Sequence, residues 1–133
     1  MDADARGAWR ALYARNPRPW TGPVHAAPLL AGLSGRVVEL GAAGGKVRRA
    51  LPPGALGLDW VREGLDPPGI VADARRLPFR DGSLDALVAI HVLGHLGAED
   101  RPRAVAEWRR ALRAGGVLVV EVLEAGDARA GDG

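Results

Sequence analysis

Five short apolar runs dominate the pattern of hydrophobic and polar positions along the chain. They are rich in β-branched residues and bounded by turn-forming residues, which predicts buried strands. The runs lie at Val37–Leu40, Ala55–Leu58, Ile70–Ala72, Leu84–Ile90 and Val117–Val122. Because they alternate with helical segments and right-handed crossovers, they predict an α/β fold. We expect a three-layer sandwich around a mostly parallel five-stranded sheet in the order 3-2-1-4-5, with a ligand crevice at the carboxyl ends of strands 1 and 4.

Two longer segments have the apolar spacing of amphipathic helices. The first is Asp4–Arg15, which ends where Asn16–Pro19 disfavours helical dihedral angles. The second is Asp100–Arg113, which the glycines of Ala114–Gly116 are expected to end. Shorter helices are predicted at Ala26–Leu33 and at Gly45–Leu51. The crossovers around strand 2 are so short that we expect one of them to contain little regular helix.

Composition limits the classes of function. The 133 residues, 47% of them hydrophobic, suffice for one domain with a buried core. There is no cysteine, which excludes disulfides and thiolate metal sites and is compatible with the cytoplasm, the location we expect. The net charge of +2 is too small to indicate nucleic-acid binding. No apolar run approaches the roughly 18 residues of a membrane span, and no group of His, Asp and Glu has the spacing of metal ligands.

The first strand is followed by Gly41, Gly44 and Gly45, and the second apolar run leads directly to Asp59. A glycine-rich turn lets a ligand approach the main chain, and a carboxylate at the end of the next strand accepts hydrogen bonds from ribose hydroxyls. The pattern therefore predicts nucleoside recognition. The dinucleotide fingerprint fits poorly because Ala43 occupies its second glycine position, and a P-loop is excluded because Val47 follows Lys46.

Glu39-Leu40-Gly41-Ala42-Ala43-Gly44-Gly45 resembles the first motif of class I S-adenosylmethionine (SAM)-dependent methyltransferases, with alanine in place of the middle glycine. Three further motifs follow in the order of that family: residues 71–88 resemble its third- and fourth-strand region, 91–96 its post-strand loop, and 113–116 its Lys/Arg-Pro-Gly-Gly turn. The resemblance covers about residues 36 to 123. It implies a Rossmann-like fold that uses SAM and leaves S-adenosylhomocysteine as the product.

The resemblance also implies which residues bind the cofactor. They lie at or next to the ends of the first four strands: Glu39, Gly41, Ala43, Gly45, Asp59, Trp60, Asp73, Ala74 and His91. In the family, the acidic residue at Asp73 and the backbone beside it hold the adenine. His91 and His95 are candidates for the base that removes a proton from the methyl acceptor, since histidine titrates near neutral pH. For both histidines, hydrogen-bonded packing in the loop is the alternative.

The predicted domain organisation is a SAM-binding methyltransferase-like domain at 1–124 and a disordered tail at 125–133. Within the domain, residues 1–20 form an N-terminal helix that either packs in the core or closes over the cofactor as a lid. The family's sheet continues with two more strands, for which the residues after Leu123 are too few, so a minimal or truncated form is expected.

Two functions remain open. One is an active methyltransferase acting on a small molecule or a protein. The other is a non-catalytic SAM-binding module that acts with a partner chain. The bare edge of the fifth strand, residues 117–122, predicts a homodimer through that strand, because an unpaired apolar edge is a template for pairing.

Overall fold

The computed structural model describes residues 3–20 and 22–123, so the predicted tail at 125–133 lies outside the described residues. The helices are α1 (Ala3–Arg15), α2 (Ala27–Leu30) and α3 (Asp100–Ala111). The strands are β1 (Val37–Leu40), β2 (Leu56–Asp59), β3 (Gly69–Val71), β4 (Leu84–Ile90) and β5 (Leu112–Glu121). Single 3₁₀ turns lie at Arg48–Ala50 and Leu93–His95. No helix in the described ranges is long and apolar enough to cross a membrane.

The five strands form one sheet in the order β3-β2-β1-β4-β5, and each neighbouring pair is parallel. The predicted strand order is therefore confirmed. On the two sides of β1, Val38 lies opposite Leu56 of β2 and Leu87 of β4. Because all strands run in the same direction, their carboxyl ends meet at one edge of the sheet, next to the turn that follows β1.

Side chains that alternate along the strands pack into two separate clusters, one on each face of the sheet. On one face Val38, Leu40 and Leu87 pack against α3, whose Trp108 is fully buried. On the other face Val37 and Val88 pack against Leu30 of α2. Burying each large apolar side chain contributes roughly 1.5–3 kcal/mol, so both clusters hold helices against the sheet and produce three layers.

The helix before β5 ends earlier than expected. α3 stops at Ala111, and β5 begins at Leu112, which lies opposite Leu84 of β4. The ladder is then interrupted and resumes with Val117 opposite Ala86. The Gly115–Gly116 pair therefore lies in an irregular segment within β5. Gly115 has a positive φ of 76°, and a Cβ on Gly116 would come within 3.0 Å of the carbonyl oxygen of Arg113.

The crossovers contain less helix than the sequence predicts. The expected helix at Ala26–Leu33 is the single turn α2, and Gly45–Leu51 forms only the 3₁₀ turn at Arg48–Ala50. Residues 60–68 have no helix at all, which confirms that at least one crossover is nearly free of helix. Prolines and glycines with positive φ explain the shortening, because they remove helical hydrogen bonds or helical dihedral angles.

Candidate functional site

The turn after β1 depends on glycine at three positions, one of which is Gly44, with a φ of 94°. Gly41 and Gly45 have positive φ angles of 68° and 66°, in the region that side chains disfavour. A Cβ on Gly41 would lie 2.9 Å from Cγ2 of Val92, and one on Gly45 would lie 2.9 Å from Oδ2 of Asp66. The turn is therefore packed closely against the loop that follows β4 and against residue 66.

Alanine fits at the middle position of this turn without backbone strain. Among the described non-glycine residues, only His91 has a positive φ, so Ala43 has an ordinary backbone conformation. Its methyl group is buried with Tyr13 and Val61, and its N–H donates to Oδ2 of Asp59 at 3.0 Å. The departure from the motif therefore leaves the shape of the turn compatible with a ligand.

Asp59 joins the end of β2 to the glycine turn. It is buried, and its carboxylate accepts the N–H of Ala43 at one oxygen and the N–H of Val61 at the other, 3.1 Å away. Burial raises the pKa of Asp59, while these backbone hydrogen bonds lower it. A carboxylate has about four acceptor positions, and the backbone of Trp60 also acts on Asp59, so at least one position remains for a ligand such as a ribose hydroxyl.

Glu39 has a buried carboxyl group with an unsatisfied atom. Only 3% of the residue is exposed, and within the described part of the chain its Oε1 has no hydrogen-bond partner. Burial raises the pKa of Glu39 to about 8, although the charge of Arg48 opposes the shift. Unpaired buried polar atoms are uncommon, so this carboxyl group requires an explanation, and a solvated surface role is excluded.

Asp73 is paired within the chain. Its carboxylate accepts hydrogen bonds from Nη2 of Arg75 at 2.7 Å and from the Arg75 N–H at 2.8 Å, and Arg75 also bonds Asp100. The pKa of Asp73 is lowered chiefly by the Arg75 side chain. The C=O of Ala74 accepts from Nε1 of Trp108 at 2.8 Å, which anchors this segment to α3. The role of Arg75 was missed, although an arginine two residues from a strand-end aspartate was visible in the sequence.

His91 and His95 have different surroundings. The Nε2 atom of His91 lies 2.6 Å from Oε2 of Glu121, at the end of the neighbouring strand β5. The ring of His95 makes an edge contact with Trp9, with centroids 5.1 Å apart. Desolvation, and then the charge of His91, lowers the pKa of His95. Glu121 was not among the site residues predicted from the sequence, although its place near the carboxyl end of the fifth apolar run pointed to this edge.

Helix α1 lies against the same edge of the sheet. Trp9 stacks on Tyr13 with ring centroids 5.9 Å apart, and both belong to a cluster with Ala43, Trp60 and Val61. Beyond Tyr13, which accepts a hydrogen bond from Nε1 of Trp20 at 3.4 Å, lies a cavity of about 600 Å³. Residues from the N-terminal segment, the glycine turn, the following 3₁₀ turn and the segment between β2 and β3 line it: Arg18, Trp20, Gly44, Gly45, Arg48, Arg49 and Asp66.

Comparisons with known proteins agree with this architecture. Residues 38–120, more than half of the chain, match the family described as "Methyltransferase domain". Over 54 residues the chain is 41% identical to a Probable tRNA methyltransferase 9B from Mus musculus, a match that covers 40% of this chain and 12% of that protein.

Solved structures with the same fold were also found. A Burkholderia thailandensis 1,6-didemethyltoxoflavin-N1-methyltransferase with bound 1,6-didemethyltoxoflavin and S-adenosylhomocysteine superimposes with a TM-score of 0.74 at 19% identity, covering 92% of this chain and 63% of that chain. A putative methyltransferase in complex with the Haloferax volcanii Trm112 activator gives 0.68 at 27% identity, covering 90% and 59%. The chain thus spans about three fifths of these two proteins and 12% of the mouse relative.

Proposed function

The chain belongs to the methyltransferase-domain family, and we propose that it binds SAM and transfers the methyl group to a small-molecule or protein acceptor, leaving S-adenosylhomocysteine. One observation carries the proposal: the carboxylate of Asp59, at the end of β2, is held next to the glycine turn by the N–H of Ala43. This arrangement offers both acceptors for ribose hydroxyls and bare main chain for the rest of the nucleoside. The absence of cysteine supports a cytoplasmic location, which stays a prediction.

The acidic residues of the proposed site are compatible with SAM at the ribose end of the ligand and with its positive charges. Asp59 keeps at least one unused acceptor position, and Glu39 has a buried oxygen without a partner in the described ranges. A ligand with positive charges on its sulfur and amino group would favour the ionised form of Glu39, against the burial that raises the pKa of this residue to about 8. At the adenine end, the Asp73 carboxylate is shared with Arg75, so the ligand competes with that side chain. The proposed site comprises Glu39, Gly41, Ala43, Gly45, Asp59, Trp60, Asp73, Ala74 and His91.

When bound, SAM supplies a methyl group on a sulfur that is already reactive, so the chain mainly has to position the acceptor. In our proposal His91 takes the proton of the acceptor nucleophile at Nδ1, because Nε2 faces the Glu121 carboxylate. His95 is the second candidate base. We assign the N-terminal residues 1–20 the role of a lid, supported by the packing of Tyr13 on Ala43 and Val61.

Calorimetric titration tests the binding step. We expect SAM and S-adenosylhomocysteine to bind and NAD not to bind. Transfer is then measured with methyl-labelled SAM and the low-molecular-weight and protein fractions of a cell extract, which also separates the two acceptor classes. If neither SAM nor S-adenosylhomocysteine binds, the proposed function is wrong.

A specific observation also favours the second function, a SAM-binding module that acts with a partner chain. Val117 and Val120 on β5 and Val122 directly after it are exposed, and none of the described strands pairs with the outer edge of β5. The simplest partner is a second copy of the chain, paired through residues 117–122. Binding of SAM without transfer to either fraction would favour this module.

The side chain of Val119 is only 6% exposed and packs in the core, so a lysine there would disturb folding and would not test the contact. Val120→Lys is the better variant because that side chain is 39% exposed. We expect light scattering to show a dimer that Val120→Lys weakens. A monomer of the wild-type chain at tens of micromolar would rule out the homodimer.

A further inference from the structure

The ends of β4 and β5 are joined by a two-point contact between His91 and Glu121. Ile90 lies opposite Glu121 in the parallel ladder, and the N–H of His91 donates to the carbonyl oxygen of Glu121 at 2.9 Å. The imidazole Nε2 also lies 2.6 Å from the carboxylate Oε2 of the same residue. The main chain of Glu121 thus holds the backbone of His91, and the side chain of Glu121 holds its imidazole ring.

The backbone of His91 has a conformation that side chains rarely adopt. Its φ of 58° lies in the left-handed region, where non-glycine residues are uncommon and strained. This conformation occurs directly after the last residue of β4, and it places the imidazole ring of His91 next to the carboxylate of Glu121. Both side chains are mostly buried, with 28% and 22% of their surface exposed, so the contact is only partly screened by solvent.

The hydrogen bond determines which ring nitrogen is available for chemistry. An ionised carboxylate can only accept, so the nitrogen facing it, Nε2, carries the proton. In the neutral ring Nδ1 is then the unprotonated atom, and no hydrogen bond to it occurs within the described ranges.

We propose that Glu121 is a positioning residue for His91: its carboxylate keeps the proton on Nε2, fixes the ring and leaves Nδ1 to accept a proton from the methyl acceptor. The inference rests on the proposed role of His91 as the base. His95 is the other titratable group whose interaction with His91 the structure shows, and its lowered pKa favours its neutral form at neutral pH. The carboxylate of Glu121 therefore acts on His91 without a competing positive charge from His95.

Two measurements test this role without an identified acceptor. The first is proton NMR, in which an imidazole N–H bonded to a carboxylate gives a slowly exchanging downfield signal. The second is carbethoxylation of histidine by diethyl pyrocarbonate, which modifies an unprotonated ring nitrogen. Peptide mapping by mass spectrometry follows the three histidines separately, so His25 serves as an internal reference in the same sample.

In the wild-type chain we expect the N–H signal and rapid modification of His91. Glu121→Gln keeps the size of the side chain but removes its charge, and should abolish or shift the signal and slow modification of His91 about tenfold, with His25 unchanged. Glu121→Asp keeps the carboxylate and should recover part of the rate. Glu99→Gln is the matched control, because it makes the same change at an exposed residue before α3 and should leave both readouts as in the wild type.

Several outcomes would overturn the positioning role. One is a wild-type rate in Glu121→Gln, and another is an equal slowing in Glu99→Gln. If Glu121→Gln fails to fold, as judged by circular dichroism, the NMR spectrum of the wild-type chain and the modification rate of His91 in Glu121→Asp still decide. The proposal is contradicted if the wild-type chain lacks the N–H signal. It is also contradicted if His91 in Glu121→Asp is modified at the rate of a free histidine. Lack of SAM binding in a chain that shows the N–H signal would instead overturn the proposed function, and with it the use of the pair in methyl transfer.

Discussion

The carboxyl ends of β1 and β2 differ from those of β4 and β5 in how their polar groups are held. At the first pair, the Asp59 carboxylate accepts main-chain N–H groups of Ala43 and Val61. At the second pair, two side chains 30 residues apart, His91 and Glu121, hold each other across neighbouring strands. Main-chain donors exist whatever the side chain, so the first region tolerates alanine in place of a motif glycine. The second region depends on two particular side chains and on the register that brings them together.

The two regions should respond differently to pH, and the largest effect is expected from Glu39 on β1. Its folded-state pKa of about 8 lies above the ordinary value of 4.5, so the folded state prefers the protonated form. The stability that this preference contributes is complete below pH 4.5 and is lost as the pH rises towards 8 and beyond. From the 1.36 kcal/mol that one pKa unit represents, the loss is on the order of 3–5 kcal/mol between pH 4.5 and 9.

Urea unfolding of the wild-type chain and of Glu39→Gln over this pH range measures the effect. The neutral glutamine should remove the fall, so the variant becomes the more stable protein at pH 9. Glu99→Gln, at an exposed position, should keep the pH dependence of the wild type. If the free energy of unfolding changes with pH in the same way in the wild type and in Glu39→Gln, Glu39 does not titrate between pH 4.5 and 9, contrary to what the structure implies.

The second prediction separates methyl transfer from cofactor binding at the end of β4. His91→Asn should lower the rate of methyl transfer by roughly 100-fold while the Kd for SAM stays within about twofold. Asparagine is the appropriate replacement because it tolerates a positive φ better than alanine. His25→Asn, at an exposed site outside the candidate site, is the control. Full transfer activity in folded His91→Asn would remove His91 from the reaction.

The third prediction concerns binding at the end of β2. Asp59→Ala should weaken SAM binding about 10- to 100-fold, because a hydrogen bond to a charged group contributes roughly 1.5–3 kcal/mol. The alanine also deprives two buried N–H groups of their acceptor, so Asp59→Asn, which keeps an acceptor oxygen, separates binding from folding and should cost about tenfold. Calorimetric titration of both variants gives these values.

Asp85→Asn provides the matched control for Asp59→Asn. Asp85 likewise accepts a main-chain N–H, that of Arg36 at 2.7 Å, but it lies at the opposite end of the sheet. Its substitution should affect stability and leave the Kd for SAM unchanged. An unchanged Kd in folded Asp59→Asn and Asp59→Ala would exclude Asp59 from the site.

The smallest effect is expected at β3. Arg75→Gln should free the Asp73 carboxylate and raise the affinity for SAM by no more than about fivefold, because partly exposed ion pairs contribute about 0–1 kcal/mol. Titration of SAM against Arg75→Gln and the control Arg76→Gln measures the change. A lower affinity in Arg75→Gln would mean that Arg75 contacts the ligand itself.

Patterns within short stretches of the sequence account for the parts of the fold and of the site that could be predicted. The apolar runs placed β1 and β4 to the residue and gave the correct strand order, because burial on both faces and short crossovers leave few arrangements of such strands. The glycine turn and Asp59 were also visible, because positive φ angles and strand-end carboxylates depend on residues close together in sequence. The environment of Glu39 was not, since the groups that surround its carboxyl group, among them Arg48 and Asp59, come close to it only in the folded chain.

The order of the elements, the glycine turn and the carboxylate at the end of β2 follow from local patterns along the chain. Which side chains meet at β5 depends on the folded sheet, because of the irregular segment between Leu112 and Val117. Across it the pairing of β5 with β4 shifts by three residues, from Leu84–Leu112 to Ala86–Val117. The resumed register places Glu121 opposite Ile90, so that its carboxylate reaches His91.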